Sequence, residues 1–543
     1  MSVASMITDV VDAFKQRDFR FVGKSDDGWF KLHGKLVPSD ITKACECEIQ
    51  LDPDFFDLPK IRLLETPVGL PPLAPHLGPY GSLCYIAKGT VVLDIFDPIG
   101  QSLACLHRAE YVFDKILKNE MVDDLEEEFH AYWGDHSCLV DIQGKNLGQQ
   151  DSLIIRPGNS VIAVVSDNID RTAKKLKSLG HEAIDSVIQT YRVRTTAKPR
   201  PSTQTWPPKT VKDILTWQSK LDLRCRRKIE QRIQQANKNH AHGVLILIES
   251  PLMTYGFMLF YKRDDETRKG KLRKRKSSIY GLDIYQMSVV RIDDRYLAER
   301  NIPGVTNLSG KNIALVGCGT IGGFLSEMLI KAGAGTCGGQ LTLVDPDTLY
   351  PSNIGRHRLG FPNLFSKKVT SMVDELKRLA PGVNVRPLPV DIRQTRLDKL
   401  DLLIDATGEE ALGHWLCQHY LPYTPMLSVW IEGPGVAVRA LLRVSNSGAC
   451  YRCLSENNRK GLLKTVVGSL PTVLAGQGCE GLYVPFPASV SIQAASLGAE
   501  MALNWANYMH TPTLRTKLIE QKYQLATPDC DPPRNLDCPA CPT

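Results

Sequence analysis

The sequence lacks three features that would direct the protein to nucleic acid, to a membrane or to secretion. Its 66 lysines and arginines against 59 aspartates and glutamates leave a net charge of only +7 over 543 residues, so composition gives no reason to expect nucleic-acid binding. The most apolar span, Gly243 to Tyr261, is interrupted by Glu249 and Pro251 and is not expected to cross a membrane. The amino terminus has no charged segment followed by an apolar core, so we expect no secretory signal.

The cysteines are too sparse for a disulfide scaffold. The chain contains fifteen of them, an odd number, spread over 543 residues. This usage favours a reducing cytoplasm, in which thiols serve metal binding and chemistry. The length predicts roughly three or four domains.

A glycine-rich turn follows a short apolar run. Ile313 to Val316 predicts a buried parallel strand, and Gly317, Gly319 and Gly322 then form G-x-G-x-x-G before a helical pattern. A second apolar run ends in Asp345. Glycines let the backbone approach a phosphate, the helix N-terminus favours anions, and the acidic strand end can hold ribose hydroxyls. On these residues alone, an NAD-binding dehydrogenase half is an equally good interpretation.

The residues after the second strand indicate which nucleotide the glycine turn binds. Asp345-Pro-Asp347 is followed by S-N-x-x-R, which contains Asn353 and Arg356, and then by K-V at Lys368. This order resembles the adenylating domain of ubiquitin-activating (E1) enzymes and their bacterial sulfur-carrier relatives. The resemblance implies that the site binds ATP. It also implies that Arg356 and Lys368 contact the phosphates and that Asn353 positions them.

Metal and further cations are expected at the same site. Attack of a carboxylate on ATP joins two anions, so the reaction requires cations and Mg²⁺. Relatives place an aspartate on Mg²⁺ where this chain has Gly408, so either Asp405 or Glu409 must serve, or metal handling differs. An arginine before the nucleotide strand reaches the ATP of the opposite subunit in the resembled family. Arg291 and Arg295 are the candidates, and a surface ion pair is the ordinary interpretation of both.

Two C-x-x-C pairs give the strongest metal signal. Cys450 and Cys453 form one pair, and Cys538 and Cys541 form the other. Each pair can present two thiolates to one ion, and together they complete a tetrahedral Cys₄ zinc site. The resembled adenylating enzymes hold a structural zinc in this way.

A cysteine between the metal pairs is a candidate nucleophile. Cys479 is flanked by glycines and precedes a predicted helix over 489–505. Relatives place their thioester cysteine just before a similar small-residue segment. The resemblance therefore implies that Cys479 carries an acyl group, whereas the pattern alone is also consistent with an inert loop thiol.

The first 130 residues resemble the ubiquitin-conjugating (E2) fold. An opening helix, antiparallel strands over 19–35 and 44–51, and a proline-rich run precede His76 and the G-S-L-C sequence that ends at Cys84; a helix is expected over 108–117. The resemblance implies that Cys84 is the conjugating nucleophile. The family's His-Pro-Asn reads His-Leu-Gly here, so the usual asparagine is absent. His76 either lines the Cys84 site or is a packing residue.

The complete order resembles the E2–E1 fusion proteins encoded with CD-NTases in bacterial CBASS anti-phage operons. We therefore expect a multidomain α/β protein with three regions. These are an α+β ubiquitin-conjugating-like (UBC) domain over 1–134, an α/β middle region over 135–290, and a Rossmann-like adenylating domain with Cys₄ zinc over 291–543.

The resemblance also implies a function. A protein C-terminus, that of the CD-NTase, would be adenylated, passed as a thioester from Cys479 to Cys84, and transferred to an amine of a target protein or small molecule. A homodimer through the adenylating domains and a cytoplasmic location are expected, with no membrane or nucleic-acid partner. Two alternatives stay open: a sulfur-carrier adenylyltransferase with an inactive E2-like domain, and a non-catalytic scaffold.

Overall fold

The chain divides into two units, each described here by itself. The computed structural model describes residues 3–67, 70, 73–87, 89–134, 136–203, 205–261, 279–444, 448–476 and 483–541. The first unit comprises Met1–Cys138, Leu147–Gln150 and Ser186–Val289, and the second comprises Leu139–Asn146, Asp151–Asp185 and Val290–Thr543. The division into three domains at 134/135 and 290/291 remains a prediction, because successive segments of the middle region belong to one unit and then to the other.

The amino-terminal part of the first unit packs helices on an antiparallel sheet. Its elements are α1 (Val3–Lys15), β1 (Arg20–Lys24), β2 (Phe30–Leu36), β3 (Cys45–Leu51), β4 (Lys60–Leu63), α2 (Pro98–Leu117) and α3 (Phe129–Trp133). The strands pair in the order β1-β2-β3-β4, with Leu32 opposite Ile49. Helix α1 is amphipathic, and it buries Val10 and Phe14 in the same core as Leu32 and Ile49. The antiparallel strands expected here are confirmed.

Helix α2 begins ten residues earlier than the predicted helix over 108–117. Asp97 accepts a hydrogen bond from the Gly100 backbone N–H at 2.9 Å, which caps the helix, and Pro98 occupies its first turn. Proline is favoured there because its missing N–H would have no intrahelical acceptor. The helix predicted over 108–117 therefore covered only the second half of α2.

The middle of the chain contributes to both units. Its elements are β5 (His136–Asp141), β6 (Gly148–Ile155), β7 (Ile162–Ser166), α4 (Ile169–Ser178), β8 (Ile184–Asp185), β9 (Gln189–Arg194), α5 (Val211–Leu221), α6 (Leu223–Lys238), β10 (Gly243–Glu249), β11 (Thr254–Phe260), β12 (Tyr285–Arg291) and α7 (Asp294–Arg300). Within the first unit, β10 pairs in parallel with β9 and antiparallel with β11. Within the second unit, β6 pairs antiparallel with β7, and Leu153 lies opposite Val164.

A seven-stranded sheet forms the centre of the second unit. The remaining elements are β13 (Asn312–Val316), α8 (Thr320–Lys331), β14 (Gln340–Val344), α9 (Lys368–Leu379), β15 (Val385–Leu388), β16 (Leu402–Asp405), α10 (Glu410–Tyr420), β17 (Met426–Glu432), β18 (Ala437–Arg443), α11 (Tyr451–Arg459), α12 (Ala488–Ala506) and β19 (Leu514–Leu518). The strand order is β15-β14-β13-β16-β17-β18-β19. The first five strands are parallel, and β18 and β19 are antiparallel additions.

The order of these strands locates a ligand crevice. The chain runs outward from β13 to β14 and β15, then returns to the other side of β13 as β16. Such a reversal leaves a gap at the carboxyl ends of the two strands that flank it, and ligands of open α/β sheets bind there. The buried apolar faces of β13 and β16 are covered by α8 and α12 in one continuous core.

The longest helices, α2 and α12, have 20 and 19 residues. In the ranges that the structure describes, no helix combines the length and the apolar character needed to cross a membrane.

Candidate functional site

The glycine turn between β13 and α8 depends on the absence of side chains. Gly317 has φ +87°, and a Cβ there would lie 2.9 Å from Thr407. A Cβ on Gly322 would lie 1.8 Å from the Gly317 carbonyl oxygen, so the first turn of α8 contacts the turn directly. Gly319, the N-cap of α8, has open space around its Cβ position. The N-terminus of α8 can therefore approach an anion closely.

A cavity of about 780 Å³ opens at the carboxyl ends of β13, β14 and β16. Its size is in the range of small-molecule sites. Six of the candidate residues from the sequence line it: Gly317, Gly319, Asp345, Asp347, Lys368 and Glu409. Tertiary structure thus brings together residues that span more than fifty positions of the chain, and it does so at the crevice expected from the strand order.

Asp345 organises the floor of this cavity. Its carboxylate accepts hydrogen bonds from the backbone N–H groups of Cys318, at 2.7 Å, and of Asp347, at 2.8 Å. Burial raises the pKa of Asp345, while these N–H groups and Lys368 favour its ionised form. Two lone-pair directions of the carboxylate remain beyond those used by the backbone, so Asp345 can shape the glycine turn and accept further hydrogen bonds.

Arg356 and Asn353 lie differently from the other predicted residues. Of the residues that the structure describes, neither is among those lining the cavity. The Arg356 guanidinium donates to the Val484 carbonyl at 2.8 Å and lies 4.5 Å from the ring centre of Phe486, and both of these partners line the cavity. Asn353 accepts from the Tyr350 backbone N–H at 3.0 Å. Arg356 is therefore held beside the cavity by residues 484–486, and Asn353 stabilises its own turn.

The two acidic candidates for metal binding are not equivalent. Asp405 is buried, and its carboxylate accepts from the Thr407 backbone N–H at 3.1 Å and from the Thr407 hydroxyl at 2.8 Å. Burial raises the pKa of Asp405 to about 6. Glu409 lines the cavity, whereas Asp405 is not among its lining residues in the described part of the chain. A cation in the cavity would therefore meet Glu409 before Asp405.

The two C-x-x-C pairs form one buried cluster, as predicted. The sulfurs of Cys450, Cys453, Cys538 and Cys541 all lie within 4.8 Å of one another. Cys450 Sγ is 3.6 Å from Cys453 Sγ and 3.7 Å from Cys538 Sγ, and Cys453 Sγ is 3.5 Å from Cys541 Sγ. Four thiolates around one zinc ion at about 2.3 Å would be about 3.8 Å apart. The sulfur positions therefore fit zinc.

Backbone groups also favour thiolates in this cluster. The Cys453 N–H donates to Cys450 Sγ at 3.4 Å, and the Asn535 N–H donates to Cys453 Sγ at 3.4 Å. The Arg452 guanidinium lies 3.9 Å from Cys538 Sγ. Donors of this kind offset negative charge on sulfur and orient metal ligands. The donor set and its surroundings thus agree with a structural zinc site.

In the first unit, Cys84 is exposed, as a nucleophile requires. Its backbone N–H donates to the His76 carbonyl at 2.8 Å. Partial burial of the thiol raises the pKa of Cys84, and the Glu128 carboxylate raises it further. The His76 ring contacts both Glu128 and Asp124, at 2.7 Å and 2.8 Å. His76 therefore belongs to the surroundings of Cys84, which the sequence left undecided.

The structure adds less about three other predicted residues, Cys479, Arg291 and Arg295. Cys479 lies outside the described residues. Arg291 forms two hydrogen bonds with the buried Asp293, at 2.8 Å and 2.9 Å, and Arg295 interacts with Cys337. Each candidate arginine thus has a partner within its own unit.

Several residues at these sites carried no recognisable sequence signal. Asp124 and Glu128 follow His76 by about fifty positions. They belong to the stretch from Asp123 to Glu128, which contains five acidic residues and resembles a solvated charged segment. Trp415 and Arg393 line the cavity, but no motif marks them. Only the fold shows which acids face His76 and which side chains reach the cavity.

Comparison with known proteins agrees with both halves of the chain. Residues 294–540 match the ThiF family, and residues 31–138 match prokaryotic E2 family B. A protein of Pseudomonas aeruginosa named ATP-dependent ubiquitin transferase-like protein Cap2 is 63% identical over 541 residues, which cover 100% of this chain and 100% of that protein. The chain belongs to the Cap2 family. An Escherichia coli Cap2 is 27% identical over 559 residues, covering 95% of this chain and 93% of the relative.

Membership of the Cap2 family confirms two expectations. The chain fuses an E1-type adenylating domain to an E2-like domain, and its fold class is the predicted multidomain α/β arrangement with a Rossmann-like carboxyl half. Among solved structures, Escherichia coli MccB aligns with 43% of this chain and 68% of its own, at 16% identity and a TM-score of 0.32.

Proposed function

We propose that this chain activates a protein C-terminus with ATP and conjugates it to an amine. The cavity of about 780 Å³ is the observation that supports this best, because it gathers the glycine turn, four acidic residues and Lys368 in an adenylating domain. The same chain carries an E2-like domain with an exposed Cys84. Activation and conjugation therefore have one candidate site each.

The carried protein and the setting come from the family resemblance. The carried protein is the CD-NTase encoded beside such fusions in CBASS operons, and the acceptor is an amine of a target protein or small molecule. The chain is a homodimer through its adenylating domains and works in the cytoplasm. The sparse cysteines of the chain support the reducing location.

Adenylation requires positive charge where the carboxylate meets ATP, the second substrate. Lys368 supplies it from the cavity wall, since its ammonium is nearly buried and already oriented by Asp347 at 2.7 Å. Preorganised charge of this kind lowers the barrier without rearrangement at the moment of reaction. Arg356 supplies a second cation once it leaves the Val484 carbonyl. Mg²⁺ would neutralise phosphate charge, and Glu409 is the carboxylate best placed to hold it.

The two thiols act after adenylation. The Cys479 thiolate attacks the activated acyl carbon, forming a C–S bond while AMP departs. The Cys84 thiolate then attacks that thioester and releases Cys479 as a thiolate. Finally an amine nitrogen attacks the Cys84 thioester, an amide forms, and Cys84 leaves. Each of these three steps exchanges one acyl bond for another, so ATP is consumed only in the preceding adenylation.

A non-reducing gel with the carried protein, ATP and Mg²⁺ tests this order. Cys479→Ala should block every thioester, and Cys84→Ala should still permit a thiol-sensitive adduct on Cys479. Pyrophosphate exchange should survive both substitutions, because neither thiol takes part in the attack on ATP. A labile adduct on Cys84 in the Cys479→Ala variant would overturn the relay. Exchange without any Cys84 adduct in the native chain would favour the sulfur-carrier alternative, and no exchange would favour the scaffold.

A further inference from the structure

His76 adopts a backbone conformation that is costly for its side chain. Its φ is +58°, in the left-handed region that only a few per cent of residues other than glycine occupy. The carbonyl of this same residue accepts the Cys84 backbone N–H at 2.8 Å. The position of the Cys84 main chain therefore depends directly on a strained turn, and strain of this kind persists only where surrounding contacts maintain it.

The contacts that maintain the turn come from two carboxylates. Glu128 accepts the His76 backbone N–H at 3.0 Å and lies 2.7 Å from ring Nδ1, so it holds the main chain and the side chain together. Asp124 lies 2.8 Å from ring Nε2. The Tyr132 hydroxyl donates to Glu128 at 3.1 Å, which orients this carboxylate. Both ring nitrogens of His76 thus face an acceptor, and only the protonated imidazolium can donate from both.

The charges of this group are unequal. Asp124 and Glu128 contribute two negative charges, and the imidazolium contributes one positive charge. The two carboxylates raise the pKa of His76 to about 9, so the imidazolium is the prevailing form at neutral pH. The group therefore carries one net negative charge, and its Glu128 carboxylate acts on the Cys84 thiol. The other titratable side chains that interact with Cys84 are the phenols of Tyr132 and Tyr85.

We propose that His76, Glu128 and Asp124 form a positioning clamp for Cys84, in which the imidazolium held between two carboxylates fixes the turn that presents the thiol. The proposal rests on the proposed function, because it requires Cys84 to carry an acyl group. The clamp supplies local support in a chain that has Gly78 where the resembled E2 family has asparagine. His76 and Glu128 act on the reaction through Cys84.

The net negative charge has a chemical consequence for the thioester. A thiol with a raised pKa is a poorer leaving group, so an acyl group on Cys84 would be lost more slowly from the thioester. The same charge disfavours the free thiolate and slows side reactions of the resting thiol. The clamp thereby connects the position of Cys84 with the lifetime of what it carries.

Alkylation of Cys84 by iodoacetamide at a series of pH values tests the clamp in the full chain. The rate is measured on the Cys84 peptide by mass spectrometry and needs neither ATP nor carried protein. Glu128→Gln removes a negative charge that raises the pKa of the Cys84 thiol, so it should increase the alkylation rate at pH 7.5 by about threefold to tenfold. His76→Gln removes the positive charge and should decrease the rate. Glu127→Gln, a neighbouring exposed acid, should leave it unchanged.

The opposite directions separate a clamp from a purely structural contact. If the substitutions only loosened the loop, the alkylation rate of Cys84 would change in the same direction in Glu128→Gln and in His76→Gln. That result would overturn the proposal. Asp124→Asn is the milder variant, since Glu128 keeps both of its contacts with His76. It should increase the rate less than Glu128→Gln does, and an unchanged rate in a variant with normal melting temperature would also contradict the clamp.

A second measurement distinguishes failure of the clamp from failure of the relay. In the gel assay, Glu128→Gln and His76→Gln should lose about tenfold or more of the Cys84 thioester relative to Glu127→Gln, while the Cys479 adduct remains. If native Cys84 never forms a thioester, the proposed function fails, whatever the alkylation rates show. If native Cys84 loads normally and both variants load equally well, the clamp fails and the relay stands.

Discussion

The Lys368 ammonium lies 2.7 Å from the Asp347 carboxylate, and the Lys368 backbone N–H also donates to the Asp347 carbonyl at 3.0 Å. Lys368 is the first residue of α9 and only 7% exposed. A cation at a helix N-terminus is unfavourable, because the partial charge of the helix is positive there. Asp347 offsets this cost, and an anionic ligand would do so as well. The pair thus marks where the cavity accepts negative charge.

Lys368→Met should reduce carried-protein-dependent pyrophosphate exchange by about 10²–10³-fold, because one preorganised charge contact is lost. Lys367→Met is the matched control, since Lys367 is exposed and its ammonium donates to the Pro346 carbonyl. Exchange should remain near normal in that control. Equal exchange in the two variants would place the phosphate cation elsewhere.

Glu409→Gln should weaken exchange more strongly than Asp405→Asn at limiting Mg²⁺, because Glu409 lines the cavity and Asp405 is tied to Thr407 below it. The measurement is the Mg²⁺ concentration that gives half-maximal exchange. We expect it to rise for Glu409→Gln. A larger rise for Asp405→Asn would assign the metal to Asp405.

Asp405 should make the stability of the carboxyl half fall as pH rises. Its pKa is raised by burial from 3.8 to about 6, so between these values the folded chain holds a proton that the unfolded chain has lost. The stabilisation is complete below about pH 4 and is lost as pH rises through 6, by on the order of 2–3 kcal/mol. Asparagine does not titrate. The difference in melting temperature between Asp405→Asn and the native chain should therefore shift in favour of the variant from pH 4 to pH 7, and a constant difference would contradict this.

The chain should contain one zinc ion, and Cys450→Ser should lose it and destabilise the carboxyl half, because an incomplete tetrahedron forfeits binding free energy that stabilises the fold. Metal analysis and thermal unfolding measure both effects. Cys530→Ser is the control, since Cys530 lies outside the four-sulfur cluster. A properly folded, unchelated chain without zinc would remove the site.

Much of the adenylating domain could be predicted because its signals are local. The strand before Gly317, the helix after it and the acidic end of β14 depend on a few consecutive residues, and the structure has them where the pattern indicates. The predicted start of α2 was wrong, because the helix begins at the Asp97 cap and this cap leaves no mark in the apolar spacing. Boundaries set by one hydrogen bond leave little trace in periodicity.

The sequence by itself determined the chemistry that the chain can offer: a glycine turn, two C-x-x-C pairs, and the resemblance to an E1 and an E2 in one polypeptide. These are properties of residue types at short spacings. Only the tertiary structure decided which groups meet, namely Lys368 with Asp347, His76 with Glu128, and Glu409 with the cavity in preference to Asp405. The physical reason is that such contacts join residues 21 to 52 or more positions apart, and burial and loop geometry, which have no local code, set their distances.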